Sequence, residues 1–324
     1  MNDRRFKFGY LLILLAGFGA MAVLWQQQAI ADWWKLRGYE PTPDISALAL
    51  ATTMTDDAKR LFYINHPQLI ADSDQFRQNC PISEQTIILG CYHSRQSGIH
   101  IYDVSDSRLD GVEQVTAAHE MLHAYYERLG GEKTKVDQML QNFFATGNIS
   151  ERVKQTIALY EKSEPDDIIN EMHSIFGTEI ADLPPELEGY YGRYFSNRQQ
   201  VVGNSEWYED EFQSRLSRIT VMDDQLAALK SQIDAEEEAL SSQRNDIENL
   251  RSQLDYKKFN GDFNGYNDSV DYYNAQITIY NRGVISIKAK IDSYNQLVAE
   301  RNALAVELKG LEQAIDTRLT TESP

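Results

Sequence analysis

Thr116-Ala117-Ala118-His119-Glu120-Met121-Leu122-His123-Ala124-Tyr125-Tyr126 is the stretch that decides the fold of this chain. It contains the pattern H-E-x-x-H within a run whose apolar residues have the spacing of an amphipathic helix. On a helix, His119 and His123 lie one turn apart on the same face, so both imidazoles can reach one metal ion. Glu120 can then accept a proton from water at that metal. The pattern predicts a metal site, and the alternative is a structural or surface histidine pair.

The residues around the pattern support a helix with a defined start and end. Asp110, followed three residues later by Glu113, is typical of a capped helix start. Gly130-Gly131 is typical of a helix end. The helix is expected to present an apolar stripe to the core and the histidines on another face. That stripe consists of Ala118, Leu122, Tyr125 and Leu129.

A catalytic zinc site needs a third protein ligand beside the two histidines, with one position left open. The candidates lie on or just after a second predicted helix, Pro165–Phe176. Glu171 is the favoured ligand because it lies beside the packed side of that helix. His173, two residues on, cannot share a face with Glu171, so one of the two points elsewhere. The alternatives to Glu171 are His173, Glu179 or no third protein ligand.

Asn170-Glu171 on a second helix downstream of H-E-x-x-H resembles the gluzincin metallopeptidases, the thermolysin-like enzymes included. The resemblance covers little more than these two helices. It implies zinc ligands His119, His123 and Glu171, and Glu120 as general base. Ile175 stands where that family has an acidic residue, so a carboxylate that orients a histidine must come from elsewhere, and Glu179 is a candidate. A donor to the transition-state oxyanion is sought among Tyr160, Tyr190, Tyr191 and Tyr194.

The N-terminus carries a translocation signal. A basic cluster, Arg4 to Lys7, precedes an uncharged run of 18 residues, Phe8–Trp25, which is long enough for a slightly short bilayer span. The basic end is expected to stay cytoplasmic, which sends the main body to the other side. Ala29-Ile30-Ala31 would suit cleavage of a secretory peptide, but the run exceeds the usual length of roughly 7–15 residues, so a retained anchor is favoured. The protein is therefore expected to be membrane-anchored, or secreted if the segment is cleaved.

Charge and cysteine usage agree with an exported protein. The formal net charge of −18 argues against nucleic acid and against an anionic membrane surface as partners. Cys80 and Cys91 are the only cysteines of the chain, and in an oxidising compartment they would form a disulfide. The alternative is two unpaired buried thiols.

Two β-branched and aromatic runs before the H-E-x-x-H helix predict a β-hairpin. They are Thr86–Tyr92 and Ile99–Val104. A sheet edge beside such a helix can take an extended peptide as an added strand, which would hold a peptide bond over the metal. His93 and His100 lie on this hairpin, and their strand spacing favours a structural or exposed role. A protein or peptide is therefore the expected substrate.

The C-terminal part has the pattern of a coiled coil. Apolar residues recur every seven positions from Ile219 to Leu254 and again from Phe263 to Val298. The turn-rich segment Phe259–Gly265 separates the two series. This predicts an antiparallel helical hairpin that acts as a spacer or docking arm, with plain intrachain packing or self-association as the alternative.

The predicted fold class is α+β. It comprises a mostly helical, zincin-like domain with a small β-hairpin or sheet, a long coiled-coil hairpin and one N-terminal transmembrane helix. The expected domains are 1–31 (anchor or signal), 32–45 (linker), 46–204 (metallopeptidase) and 205–324 (hairpin). The favoured function is that of a membrane-tethered, extracytoplasmic zinc peptidase. The alternatives are a non-catalytic exported scaffold with a structural histidine pair or closed metal site, and a zinc amidase acting on cell-wall cross-links.

Overall fold

The computed structural model describes residues 27–81, 87–94, 98–163 and 165–318. The predicted membrane segment, Phe8–Trp25, lies outside the described residues. Among the helices that are described, none is long and apolar enough to span a bilayer. The described residues divide into two compact units, one formed by those up to Asp210 together with Gln313–Arg318, the other by Glu211–Glu312.

Three helices open the described part of the first unit. They are α1 (Gln27–Leu36), α2 (Pro43–Ala51) and α3 (Asp56–Ile64). Thr42 is the N-cap of helix α2, and its side chain accepts a hydrogen bond from the Ile45 N–H. Pro43 occupies the first helical position. Residues 32–45 were expected to form a linker, but they include the end of α1 and the start of α2.

A small three-stranded sheet follows, with the order β1-β3-β2. Its strands are β1 (Gln68–Ile70), β2 (Gly90–His93) and β3 (Gly98–Tyr102), and α4 (Ser73–Asn79) lies between β1 and β2. Strands β2 and β3 form the predicted antiparallel hairpin, with Cys91 opposite His100. Strand β1, parallel to β3, was not predicted because three residues are too few to show alternation. Among the described strands, β2 is an outer one.

Five helices complete most of the core of the first unit. They are α5 (Val112–Tyr126), α6 (Lys133–Thr146), α7 (Glu151–Ser163), α8 (Ile168–Glu179) and α9 (Pro185–Tyr191). Helix α5 packs along α8. A Cβ at Gly177 would lie 2.5 Å from Leu122 Cδ1, so the glycine allows the two helices to approach closely. The second helix was predicted to end at Phe176, just before Gly177; that end was wrong, because α8 continues to Glu179 and uses the glycine as a packing contact.

Helix α5 begins and ends differently from the prediction. Its N-cap is Gly111, in the left-handed conformation with φ 105° and without a side-chain cap, rather than Asp110. The Glu113 carboxylate instead accepts a hydrogen bond of 3.0 Å from the Val104 N–H, which ties the helix start to the chain leaving β3. The helix ends at Tyr126, and the predicted stop at Gly130-Gly131 lies in a separate 3-10 turn, Gly130–Glu132.

Two long helices, α10 (Arg198–Phe259) and α11 (Phe263–Ile315), supply the second unit. Within that unit Arg301 pairs with Asp223 at 2.9 Å, and Lys290 pairs with Glu236, so the helices run antiparallel. The turn needs Gly261, which has φ 74°. It is shorter than predicted because α11 already begins at Phe263. The prediction of two long C-terminal helices is confirmed.

Candidate metal centre

Glu171 on α8 faces both histidines of α5. Its Oε1 lies 3.4 Å from His123 Nε2, and its Oε2 lies 3.5 Å from His119 Nε2. The two imidazole rings are 4.7 Å apart between centroids and tilted by 73°. The residues that sequence reasoning named as metal ligands are thus neighbours, with each carboxylate oxygen directed at one imidazole nitrogen.

Burial and charge make Glu171 an anionic donor. Its residue is 5% exposed. Burial raises the pKa of the Glu171 carboxyl, but the attraction of His123 and His119 outweighs this and holds the pKa below its ordinary value. Glu171 Oε2 is buried without a hydrogen-bond partner in the protein. A buried carboxylate oxygen without a partner is costly, and a cation between the three side chains would relieve that cost.

Glu120 belongs to α5, and its side chain lies against β2. It is 5% exposed, and a carboxylate oxygen lies within 4.8 Å of ligand atoms of His119 and His123. A Cβ at Gly90 would come within 2.8 Å of Glu120 Oε1 and 2.5 Å of Thr116 Cγ2. Only glycine allows β2 to pass this close to the helix. Sequence reasoning missed Gly90, since an isolated glycine in a strand pattern does not reveal what it approaches.

A cavity of about 230 Å³ adjoins these side chains. Helices α5 and α8 form one side of it, through His119, Glu120, His123 and Glu171. Strand β2 forms another with Gly90–His93, and the Tyr92 hydroxyl donates a hydrogen bond of 2.9 Å to Glu127 Oε2. The candidate ligands, the candidate base and an outer strand therefore border the same space.

Asp167 is a carboxylate beside the site that sequence reasoning did not assign. It precedes α8, lines the cavity and has an oxygen within 4.8 Å of ligand atoms of His123 and Glu171. Asn170 Nδ2 donates a hydrogen bond of 3.0 Å to Asp167 Oδ2. Glu179, the carboxylate proposed from the sequence to orient a histidine, pairs instead with Arg152 at 2.9 Å. The position of Asp167 just before the helix that carries Glu171 was the available signal.

His173, the alternative ligand, lies in a cluster of tyrosines. It is fully buried and shares a hydrogen bond of 2.8 Å with the Tyr190 hydroxyl. Burial, with the positive charge of neighbouring side chains, holds the pKa of His173 well below its usual range, so the ring is neutral. His173 does not line the cavity, whereas Glu171 does.

The four tyrosines considered as oxyanion donors lie in two different places, one at the cavity and three in the cluster around His173. Tyr160 lines the cavity. Tyr191 donates to the His173 carbonyl at 2.7 Å, and Tyr194 donates to the Tyr190 hydroxyl at 2.9 Å. Three of the four tyrosines are therefore engaged in the buried cluster around His173.

The cysteine pair belongs to the wall of the cavity. Cys80 and Cys91 are disulfide-bonded, with their Cα atoms 5.8 Å apart. His93 also lines the cavity, and its Nε2 lies 3.0 Å from the Asn79 carbonyl oxygen, while His100 is buried on β3. The disulfide joins β2 to the end of α4, and so fixes the strand that borders the site.

Compared with protein-family models, curated proteins and solved structures, the chain matches none of them. The resemblance to gluzincins consequently rests on the residues of α5 and α8 alone.

Proposed function

We propose that the first unit is a zinc-dependent peptidase. The observation that carries the proposal is the contact of the buried Glu171 carboxylate with His119 and His123, beside a cavity that Glu120 also lines. Two imidazoles and one carboxylate are a donor set of catalytic zinc sites, which keep a further position open for water or substrate. Glu171 Oε2, which is buried without a hydrogen bond and lies 3.5 Å from His119 Nε2, would face such a cation.

The three ligands would be His119, His123 and Glu171. Bound there, zinc would act as a Lewis acid that polarises the scissile carbonyl and acidifies water. Asp167, beside His123 and Glu171, would hold the ligand side chains in orientation.

Glu120 would act as the general base and then as the general acid. Its carboxylate accepts a proton from water while the water oxygen bonds to the carbonyl carbon. The C–N bond then breaks, and Glu120 passes that proton to the leaving amine. Gly90 leaves room for this carboxylate, since a Cβ there would lie 2.8 Å from Glu120 Oε1. Tyr160 would donate a hydrogen bond to the oxyanion that develops on the carbonyl oxygen.

An extended peptide is the substrate that the site fits best. Strand β2 is an outer strand of the sheet and borders the cavity along Gly90–His93. A peptide added to such an edge gains main-chain hydrogen bonds that do not depend on its sequence. It would then run past Glu120 and the histidines, with one peptide bond at the metal.

We further propose that the protein is tethered to a membrane and exported. Two features support this: the apolar run Phe8–Trp25 follows the basic cluster Arg4 to Lys7, and the two cysteines are paired. The two long helices would serve as a coiled-coil arm that docks a partner, a substrate or a second copy.

Replacement of Glu120 by glutamine tests this function. The full chain would be incubated with a library of unfolded peptides, and new termini would be identified by mass spectrometry. Glu120→Gln keeps size and shape but removes the proton acceptor, so turnover should fall by at least ~10²-fold. Glu127→Gln is the matched control because Glu127 lines the same cavity, and it should retain most of the activity.

Cleavage by Glu120→Gln at the wild-type rate would contradict the role of Glu120. A zinc-loaded wild type that cleaves no peptide but does cleave cell-wall cross-links would favour the amidase. Inactivity of the zinc-loaded wild type toward both would favour the scaffold.

A further inference from the structure

Gly90 and Tyr92 offer the outer main-chain groups of β2 to an added peptide. In an antiparallel pair, alternate residues of a strand direct their N–H and C=O groups toward the neighbouring strand. The Tyr102 N–H donates to the Leu89 carbonyl oxygen at 2.8 Å, so Leu89 faces β3. Gly90 and Tyr92 then face away from β3. Within the described part of the chain, neither makes a backbone hydrogen bond outside the sheet.

The chain itself occupies the next position of this outer edge. Ile88 precedes Gly90 by two residues, so its carbonyl oxygen continues the outward-facing series. That oxygen accepts a hydrogen bond of 2.9 Å from the Thr317 hydroxyl. Thr317 follows the end of α11 at Ile315, belongs to the first unit and is fully buried. The hydroxyl therefore holds the acceptor that the N–H of an added peptide would otherwise use.

A second hydrogen bond holds the residues that follow α11 in this place. Arg77 Nη1, on α4, donates to the Arg318 carbonyl oxygen at 2.9 Å. Helix α4 is joined to β2 by the disulfide, so the strand, the helix and residues 316–318 are tied together. Ile88 also lines the cavity beside the metal centre. Residues 316–318 thus lie at one end of the strand edge that borders the cavity.

We propose that Thr317 closes this end of the edge and thereby limits how far a bound peptide extends beyond its scissile bond. The inference rests on the proposed peptidase function. Glu120, the proposed base, lies against Gly90, so the scissile bond belongs beside Gly90. A strand advances about 3.3 Å per residue, so roughly two residues separate that bond from the closed end at Ile88.

The position of the closed end defines the class of substrate. On the Ile88 side the peptide must end within about two residues of the scissile bond. On the other side, past Tyr92, the strand continues to His93 and imposes no such limit. The preferred substrate is therefore an extended peptide that is cleaved close to one end, and to the same end in every case.

Two series of peptides test the closed end. Both start from one short peptide of the library and grow by one residue at a time, one series at the N-terminus and the other at the C-terminus. With the wild-type full chain, kcat/KM should fall on the order of tenfold in one series once the peptide passes the closed end, because a main-chain hydrogen bond is lost. It should change little in the other series.

Replacement of Thr317 should remove this limit. Thr317→Ala frees the Ile88 carbonyl oxygen, so the longer peptides should regain most of the lost kcat/KM, whereas Thr317→Ser keeps the hydroxyl and should discriminate as the wild type does. Thr220→Ala is the matched control, because the Thr220 hydroxyl donates within α10 to the Leu216 carbonyl oxygen at 3.0 Å. An equal change at every peptide length in Thr317→Ala would show a merely structural role and overturn the proposal.

Peptide binding separates this inference from the chemistry of the site. The same peptides, carrying a fluorescent label, are titrated onto zinc-loaded Glu120→Gln and followed by anisotropy. A length limit in binding without cleavage by the wild type would support the closed end and contradict the peptidase. Cleavage or binding that is independent of length at both ends would overturn the closed end, as would failure of every peptide to bind.

Discussion

Glu171 Oε1 lies 3.4 Å from His123 Nε2, although the two residues belong to different helices. The contact exists because α5 and α8 pack closely, and Gly177 permits that approach against Leu122. H-E-x-x-H by itself supplies only two of the candidate ligands. The metal centre is therefore a property of the packing of two helices, and each helix can be tested separately.

Glu171→Gln should weaken zinc binding while Glu120→Gln should not. The amide retains the shape of Glu171 but removes the charge that opposes the cation between the histidines. Its zinc affinity, measured by competition with a chromophoric chelator, should fall by more than the ~10–100-fold that loss of an outer-sphere partner costs. Wild-type affinity in Glu171→Gln would exclude Glu171 as a ligand.

Gly90→Ala should disturb the site without touching a ligand. The added methyl group would come within 2.8 Å of Glu120 Oε1, so β2 or Glu120 must shift. We expect a loss of about 1–3 kcal/mol in the free energy of unfolding, as for other overpacked positions, and lower turnover with zinc retained. Gly189→Ala is the matched control, since nothing lies within 4 Å of a Cβ there. Unchanged stability and turnover in Gly90→Ala would contradict the close approach of β2.

Glu113→Gln should remove a pH dependence of stability. Burial raises the pKa of Glu113 from 4.5 to about 7, against the opposing effect of the Val104 N–H. The unfolded chain loses this proton above about pH 4.5 and the folded chain only near pH 7, so the free energy of unfolding falls across that interval. The free energy of unfolding of Glu113→Gln, relative to that of the wild type, should therefore rise by about 1 kcal/mol from pH 5 to pH 8. Partial exposure of Glu113 to solvent keeps this difference small.

Denaturant unfolding of both proteins at the two pH values measures this difference. The comparison at pH 8 serves as the reference, because Glu113 has then lost its proton in both the folded and the unfolded chain, whereas at pH 5 the folded chain retains it and the unfolded chain has largely lost it. Parallel pH profiles for the two proteins would show that Glu113 is not the group responsible.

The sequence predicted those parts of the molecule that depend on local spacing. Histidines at i and i+4 share a helix face whatever the helix packs against, so the H-E-x-x-H helix could be predicted. Seven-residue repeats extend over many turns, so the two long helices could be predicted as well. Cys80 and Cys91 were predicted as a pair from their number and their position after the apolar run.

Features that depend on contacts between distant segments could not be predicted from the sequence. The closeness of Gly90 to Glu120 arises only when β2 passes over α5, and Asp167 reaches the site only through the start of α8. Gly177 had the local signature of a helix end, but packing against Leu122 makes it an interior position of α8. All three features depend on contacts between segments that are distant in sequence, and at Gly177 such a contact outweighs the local preference of glycine for a helix end.

Zinc content of the full chain tests the central claim most directly. Protein purified without chelators should contain about one zinc ion per chain by elemental analysis, as a three-ligand catalytic site requires. His119→Ala and His123→Ala should lose it, whereas His93→Ala should keep it, because His93 Nε2 is directed at the Asn79 carbonyl. Folded wild-type protein that contains no zinc and takes none up would contradict the account, as would zinc that persists in both His119→Ala and His123→Ala.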